Sequence, residues 1–156
     1  MKKICFIFLF LCLWNIGQAQ IEGQYRFQYG HDFSTGTDYL GVNFVGEYFP
    51  VDNVSFAPSF SVYLPKTGKA SQIDLTGRYY FTEDDLQAYG LLGYGFYRRR
   101  SEFDRQDPLR GASGVHFGGG ALYRFLEVLG LNGEVKVQPQ YGGRFNVKLG
   151  VSYFIN

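Results

Sequence analysis

The chain has 156 residues, which predicts a single domain. Its 15 basic and 14 acidic residues nearly balance, so the overall charge gives no reason to expect a nucleic-acid partner. Both cysteines, Cys5 and Cys12, lie within the first 19 residues, and the two histidines, His31 and His116, are far apart in sequence. We therefore expect no disulfide, no metal site and no cofactor in the mature chain.

The N-terminal segment has the pattern of a signal peptide. A basic start precedes eleven apolar residues, from Ile4 to Trp14, and Gly17 and Ala19 supply the small residues of a cleavage site. We predict that residues 1–19 are removed and that residues 20–156 form the folded domain. An uncleaved membrane anchor is the alternative, but the apolar run is about half of the ~20 residues that a spanning helix needs.

Beyond this segment, apolar and polar residues alternate in eight stretches separated by turn-forming residues. A period of two predicts β-strands, because alternate side chains of a strand lie on opposite faces of a sheet. No amphipathic helical pattern persists past two turns. The predicted strands cover about residues 22–30, 39–49, 54–64, 71–81, 87–97, 113–125, 131–141 and 145–155.

The third strand, the fifth strand and one turn each have a distinctive feature. Pro58 lies on the apolar face of the third strand and predicts a bulge or kink there. The fifth strand is apolar on both faces from Ala88 to Tyr97, except for tyrosine hydroxyls, so the pattern leaves its facing open. The turn between the sixth and seventh strands is predicted at residues 127–130, with the hairpin dipeptide Asn132-Gly133 as the alternative.

The polar faces of the strands carry charged residues. This combination is typical of a membrane barrel, whose apolar face meets lipid while its polar face lines the lumen. The interior of an eight-stranded barrel is just wide enough for side chains to fill, so the charges should pair across it. We favour a plug of salt bridges over a gated ion path. The predicted lumen residues are Arg26, Glu47, Asp74, Arg78, Arg124, Glu134, Lys136 and Lys148.

Tyrosines recur on the predicted lipid-facing side, mostly near strand ends. Tyrosine has an apolar ring and a hydrated hydroxyl, so it suits the bilayer interface, and an interfacial role predicts two belts. Ordinary β-propensity is the alternative explanation. The predicted belt residues are Tyr25, Tyr29, Tyr48, Tyr79, Tyr123, Tyr141 and Tyr153.

The signal segment, the eight alternating strands and the terminal run from Phe145 to Asn156 resemble the small outer-membrane β-barrel proteins of Gram-negative bacteria, the OmpA/OmpX type. The resemblance implies an all-β, eight-stranded antiparallel up-and-down transmembrane barrel with a polar lumen, located in the cell outer membrane. It also implies a monomer in contact with outer-membrane lipid and lipopolysaccharide. The secretion and barrel-assembly machinery would deliver it, and both chain ends would lie in the periplasm.

The longest predicted loop, residues 98–112, would then face outward, and it is basic. Arginine side chains at the outer rim suit the phosphates of lipopolysaccharide, because a guanidinium can donate two hydrogen bonds to one phosphate. A solvated loop with internal ion pairs to Glu102, Asp104 and Asp107 is the alternative. The arginines of this candidate site are Arg98, Arg99, Arg100, Arg105 and Arg110.

The leading functional hypothesis is a non-enzymatic integral outer-membrane barrel with a structural or adhesive role, or a very small pore. A soluble, lipocalin-like secreted barrel that binds an apolar ligand would need the aromatic face inside. A lipid A-modifying barrel enzyme would need a nucleophile beside a base, and His31-Asp32-Phe33-Ser34 is the best such cluster. Because the His-x-Ser spacing and the Asp-Ser pair of the enzymes it would resemble are absent, we expect no enzyme activity.

Overall fold

The computed structural model of the protein describes residues 22–34, 39–65, 68–82, 84–100, 110–140 and 143–155. The predicted signal segment, Arg105 and Tyr141 lie outside these residues. Of Arg110 only the backbone is described. No helix within the described residues is long and apolar enough to cross a bilayer.

Eight strands form one closed barrel in which each strand pairs antiparallel with the next and β8 pairs with β1. The predicted eight-stranded antiparallel up-and-down architecture is therefore confirmed. The strands are β1 (Tyr25–Ser34), β2 (Tyr39–Val51), β3 (Val54–Tyr63), β4 (Lys69–Tyr80), β5 (Leu86–Arg100), β6 (Arg110–Leu126), β7 (Leu129–Gln138) and β8 (Arg144–Ile155).

The two ends of the barrel differ. We call the end with the start of β1 and the finish of β8 the terminal end, and the opposite end the loop end. Short turns join β2 to β3 and β6 to β7 at the terminal end. The second of these lies at Glu127–Val128, as predicted, while Asn132 and Gly133 lie inside β7.

Alternation along each strand sorts the side chains into an apolar outer face and a polar lumen. In β4, for example, Ile73 and Leu75 point outward and are 47% and 43% exposed, whereas Asp74 between them points inward and is 1% exposed. The same division settles the facing of β5. Its outward residues include Leu92 and Phe96, and its inward residues include Tyr89.

Several strands extend further toward the loop end than predicted. The predicted loop at 31–38 was wrong for its first half, because β1 continues to Ser34 and pairs with both of its neighbours throughout. The loop predicted at 98–112 was also too long, since β5 continues to Arg100 and β6 begins at Arg110. Cross-strand pairs such as Arg98↔Gly111 extend the hydrogen-bonded ladder through residues whose polarity resembled a loop.

The predicted bulge is absent at Pro58, because β3 keeps one register on either side of it, although its pairing with β2 is interrupted at Ala57 and Pro58. Pro58 faces outward, and the pairing of β3 with β4 runs through it without a shift. In an antiparallel sheet the N–H of a residue points toward one neighbouring strand only, so the missing proline donor affects a single ladder. The register shifts occur elsewhere, between Tyr48 and Val51 and between Arg124 and Leu126, each beside a turn.

Candidate functional site

The lumen holds the charged residues that the sequence singled out, with one exception and one addition. Among the residues that the structure describes, eight charged side chains are buried there, four basic and four acidic, so the formal charges of these eight cancel. Arg124 is the exception, because its side chain is 34% exposed at the terminal rim, 3.8 Å from Asp85. Asp32 is the addition. The buried set is Arg26, Asp32, Glu47, Asp74, Arg78, Glu134, Lys136 and Lys148.

Asp74 is the centre of the network. It forms ion pairs with Lys136 and with Lys148, whose Nζ lies 3.4 Å from Asp74 Oδ2. Gln72 Nε2 donates a hydrogen bond of 2.6 Å to Asp74 Oδ1. Lys148 also lies 3.8 Å from Glu134, so one ammonium group is shared between two carboxylates. These contacts join β4, β7 and β8 across the lumen.

A second cluster lies toward the terminal end, around Arg78. Its guanidinium is 2.5 Å from Glu134 and 3.3 Å from Glu47. Glu47 in turn accepts hydrogen bonds from Tyr80, Ser55 and Gln28 at 2.7, 2.5 and 3.0 Å. Because Glu134 contacts both Arg78 and Lys148, the two clusters form one continuous network.

Asp32 extends the polar network toward the loop end. Its carboxylate accepts hydrogen bonds from Ser61 and Tyr63, both at 2.9 Å, and from Asn146 at 3.2 Å. The sequence contained a signal for this residue, because Asp32 continues the inward period of Arg26 and Gln28. The turn-forming composition of the segment that follows concealed it.

Inward glycines make room for the larger polar side chains. A Cβ atom added to Gly95 would lie 2.7 Å from Asp74 Oδ1, and one added to Gly93 would lie 2.6 Å from His116 Nε2. His116 is fully buried, and its Nε2 lies 3.0 Å from the Thr76 hydroxyl. The glycines of β5 therefore let the network fill the lumen without steric overlap.

Aromatic side chains lie at both ends of this polar core. At the terminal end the Arg26 guanidinium lies 4.4 Å from the ring centroid of Phe49 and 4.7 Å from that of Phe154. At the loop end Tyr63 and Tyr97 pack together, and the Arg144 guanidinium lies 3.8 Å from the Tyr97 ring centroid. Between these layers, a cavity along β1, β2 and β8 measures only about 10 Å³. The arrangement favours a filled lumen over an open channel.

The residues proposed for catalysis are not brought together. His31 points outward from β1, whereas Asp32 and Ser34 point into the lumen. A base and a nucleophile on opposite faces of a strand cannot exchange a proton directly. Within the described residues, no group of three or more metal-ligating side chains is present.

The predicted arginine site is only partly described. Arg98, Arg99 and Arg100 lie on β5 and not in a loop, so their side chains alternate: Arg98 and Arg100 point outward and Arg99 points inward. Arg110 pairs with Arg99 through the backbone, and Arg105 lies outside the described residues. The three arginines whose side chains the structure describes, Arg98, Arg99 and Arg100, therefore do not face the same way.

The described tyrosines of the predicted belt all lie on the outer face, but most of them lie near one end of the barrel. Five of them lie close to the terminal end, where Tyr25 and Tyr48 are cross-strand partners with ring centroids 4.8 Å apart. Tyr29 lies further along β1, opposite Phe44 and Val151. The residues of this tyrosine belt are Tyr25, Tyr48, Tyr79, Tyr123 and Tyr153, which are 38–55% exposed.

Between the tyrosine belt and the loop end, the outer face is an apolar band. It includes Phe44, Phe60, Leu75 and Leu149, each at least 40% exposed. His31 interrupts the band on β1, where it lies beside Tyr29, and Lys69, Arg98 and Arg100 lie on the outer face near the loop end. An apolar outside and an ionic inside are the reverse of the arrangement that a lipocalin-like soluble barrel requires.

Comparison with known proteins supports the same architecture. No family model and no curated protein matches the chain. Among solved structures, the N-terminal β-barrel domain of Pseudomonas aeruginosa OprF is similar, with a TM-score of 0.73 and 19% identity over 87% of this chain and 100% of that one. Ail, the attachment invasion locus protein of Yersinia pestis, gives a TM-score of 0.65 and 18% identity over 86% and 100%.

A third similar structure is the outer membrane protein OprG of Pseudomonas aeruginosa, with a TM-score of 0.62 and 15% identity over 91% of this chain and 100% of that one. At these identities the comparison shows the fold alone. That fold is the eight-stranded antiparallel up-and-down transmembrane barrel that the sequence predicted.

Proposed function

We propose that the chain is an integral outer-membrane protein, exported and then folded into the membrane as a monomer, with no catalytic role. The observation that carries this proposal is the distribution of polar and apolar side chains, which is the reverse of that in a soluble barrel. An apolar band lies outside and a paired ionic network lies inside. A band of this kind is stable in hydrocarbon and would be an aggregation site in water. The outer-membrane origin of similar barrels such as OprG supports the location.

We further propose that the barrel has a structural or adhesive role, holding the loop end at the cell surface. The packing of the lumen supports this role, because aromatic side chains lie beside Arg26 at one end of the core and beside Tyr63 at the other. A barrel that is filled by its own side chains gives its loops a rigid frame.

Detergent dependence and gel mobility test the membrane assignment. We expect the refolded protein to remain monomeric only in detergent or lipid, and to migrate differently on a gel with and without boiling, because a closed barrel resists denaturation. A chain that stays monomeric and folded in plain buffer would contradict the proposal and favour a soluble barrel.

A very small pore is the second candidate, and the position of Lys148 favours it. This ammonium lies 3.4 Å from Asp74 and 3.8 Å from Glu134, so a small movement would exchange its partners. Such an exchange would open a path for a single file of water molecules through the network. Planar-bilayer recordings separate the two roles, since a silent bilayer at all voltages removes the pore and discrete openings support it.

A further inference from the structure

The outer face of the barrel has a groove of about 690 Å³ at the loop end, formed by β3, β4 and β5. One wall is apolar and comes from β3 and the residues that follow it: Phe60, Val62 and Leu64. The bottom of the groove is formed by Ser71, which has a small side chain, and Gly68, which has none. The other wall is cationic and consists of Arg98 and Arg100, with Lys69 beside them.

The strand register explains why these residues form a groove. Val62 pairs with Ser71, and Ser71 pairs with Arg98, so the three outward side chains form a row with the smallest one in the middle. Lys69 pairs with Arg100 in the next outward row toward the loop end. Neighbouring strands are about 4.8 Å apart, so the two walls stand about 10 Å from each other. An acyl chain fits such a space.

The polarity of the groove changes along the barrel axis. The apolar wall begins at Phe60, in the middle of the apolar band, and continues toward the rim. The cations lie only at the rim, where β4 begins and β5 ends. A ligand that matches both parts has an anionic headgroup at the rim and a hydrocarbon chain that extends toward the centre of the membrane.

We propose that this groove binds one phosphorylated lipid of the outer leaflet, a proposal that rests on the membrane assignment above. The lipid phosphate is held by the guanidinium groups of Arg98 and Arg100, with Lys69 as a third cation. One acyl chain packs along Phe60, Val62 and Leu64. Two arginines favour phosphate, because each guanidinium donates two parallel hydrogen bonds to its oxygens.

Binding of diphosphoryl lipid A to the purified protein in maltoside micelles tests this proposal. We expect the double variant Arg98→Gln/Arg100→Gln to bind this lipid about tenfold more weakly or worse, because charge-assisted hydrogen bonds are lost. The control is Arg124→Gln, which removes one arginine at the opposite rim and should leave the dissociation constant unchanged. Leu64→Asn should also weaken binding, because it replaces part of the apolar wall that contacts the acyl chain.

Two further probes need only the unmodified protein. Lipid A without its phosphates should bind at least about tenfold more weakly, and inorganic phosphate should not displace diphosphoryl lipid A. Equal binding of the phosphate-free lipid, displacement by inorganic phosphate, or wild-type affinity in the double variant would overturn the proposal. Heat-modifiable gel migration of the same samples reports barrel folding separately, so a failure here is distinct from a failure of the membrane assignment.

Discussion

Replacing Asp74 by asparagine is expected to lower the free energy of unfolding by about 3–5 kcal/mol, because it removes one side of a buried ion-pair network. Asp74 contacts the ammonium groups of both Lys136 and Lys148, and all three side chains are at least nine-tenths buried. Without the carboxylate, buried Lys136 loses its ion-pair partner and buried Lys148 keeps only Glu134, at 3.8 Å. Urea unfolding of the protein in lipid vesicles, followed by circular dichroism and gel mobility, measures the loss.

Two further variants test whether the loss of stability in Asp74→Asn comes from the buried ion pairs. Asp85→Asn removes a carboxylate that is 75% exposed and 3.8 Å from Arg124, and it should change stability by less than about 0.5 kcal/mol. The double variant Asp74→Asn/Lys136→Met should be more stable than Asp74→Asn alone, since it removes the ammonium group that has lost its ion-pair partner. A loss below about 1 kcal/mol for Asp74→Asn would show that the network does not hold the strands together.

Replacing the next residue, Leu75, by arginine is expected to cost about 2–4 kcal/mol for a different reason. Leu75 points outward from the middle of β4 and is 43% exposed, with Pro58 and Tyr94 as its strand partners. An arginine there would place a cation against hydrocarbon near the centre of the bilayer. The change should also slow or prevent refolding into vesicles, which the gel-mobility assay detects directly.

Leu86→Arg is the matched control for Leu75→Arg. Leu86 also points outward and is 56% exposed, but it lies at the terminal end, next to Tyr123 of the tyrosine belt. The cost of arginine falls to about 0–1 kcal/mol near the interface. Equal costs at the two positions, or no cost at either, would mean that the outer face does not cross a bilayer.

The strands and their facing could be predicted where the two faces differ in polarity. In β8, Lys148 between Val147 and Leu149 identifies the inward side without knowledge of any partner strand. In β5 the residues from Ala88 to Tyr97 are apolar or glycine on both faces, so only the neighbouring strands determine which face turns inward. Local pattern therefore fails where the lumen itself is lined by aromatic residues and glycine.

The pairing inside the lumen could not be predicted from the sequence. Arg78 contacts Glu134, which is 56 residues away, and Lys136 contacts Asp74, which is 62 residues away. Such contacts depend on how the strands are staggered around the closed barrel, and the stagger depends on turns that sequence patterns place only to within a few residues. The same uncertainty placed Asp32 and Arg98 in loops, although both lie on strands.

Contacts between leucine methyl groups and lipid acyl chains test the orientation of the barrel most directly. The measurement is nuclear Overhauser transfer in methyl-labelled, unmodified protein in lipid nanodiscs. Leu75 and Leu149, which point outward, should show strong transfer from acyl methylene protons, whereas the buried Leu122 and Leu91 should show none. Transfer to Leu122 and Leu91, with water contacts at Leu75 and Leu149, would contradict the account.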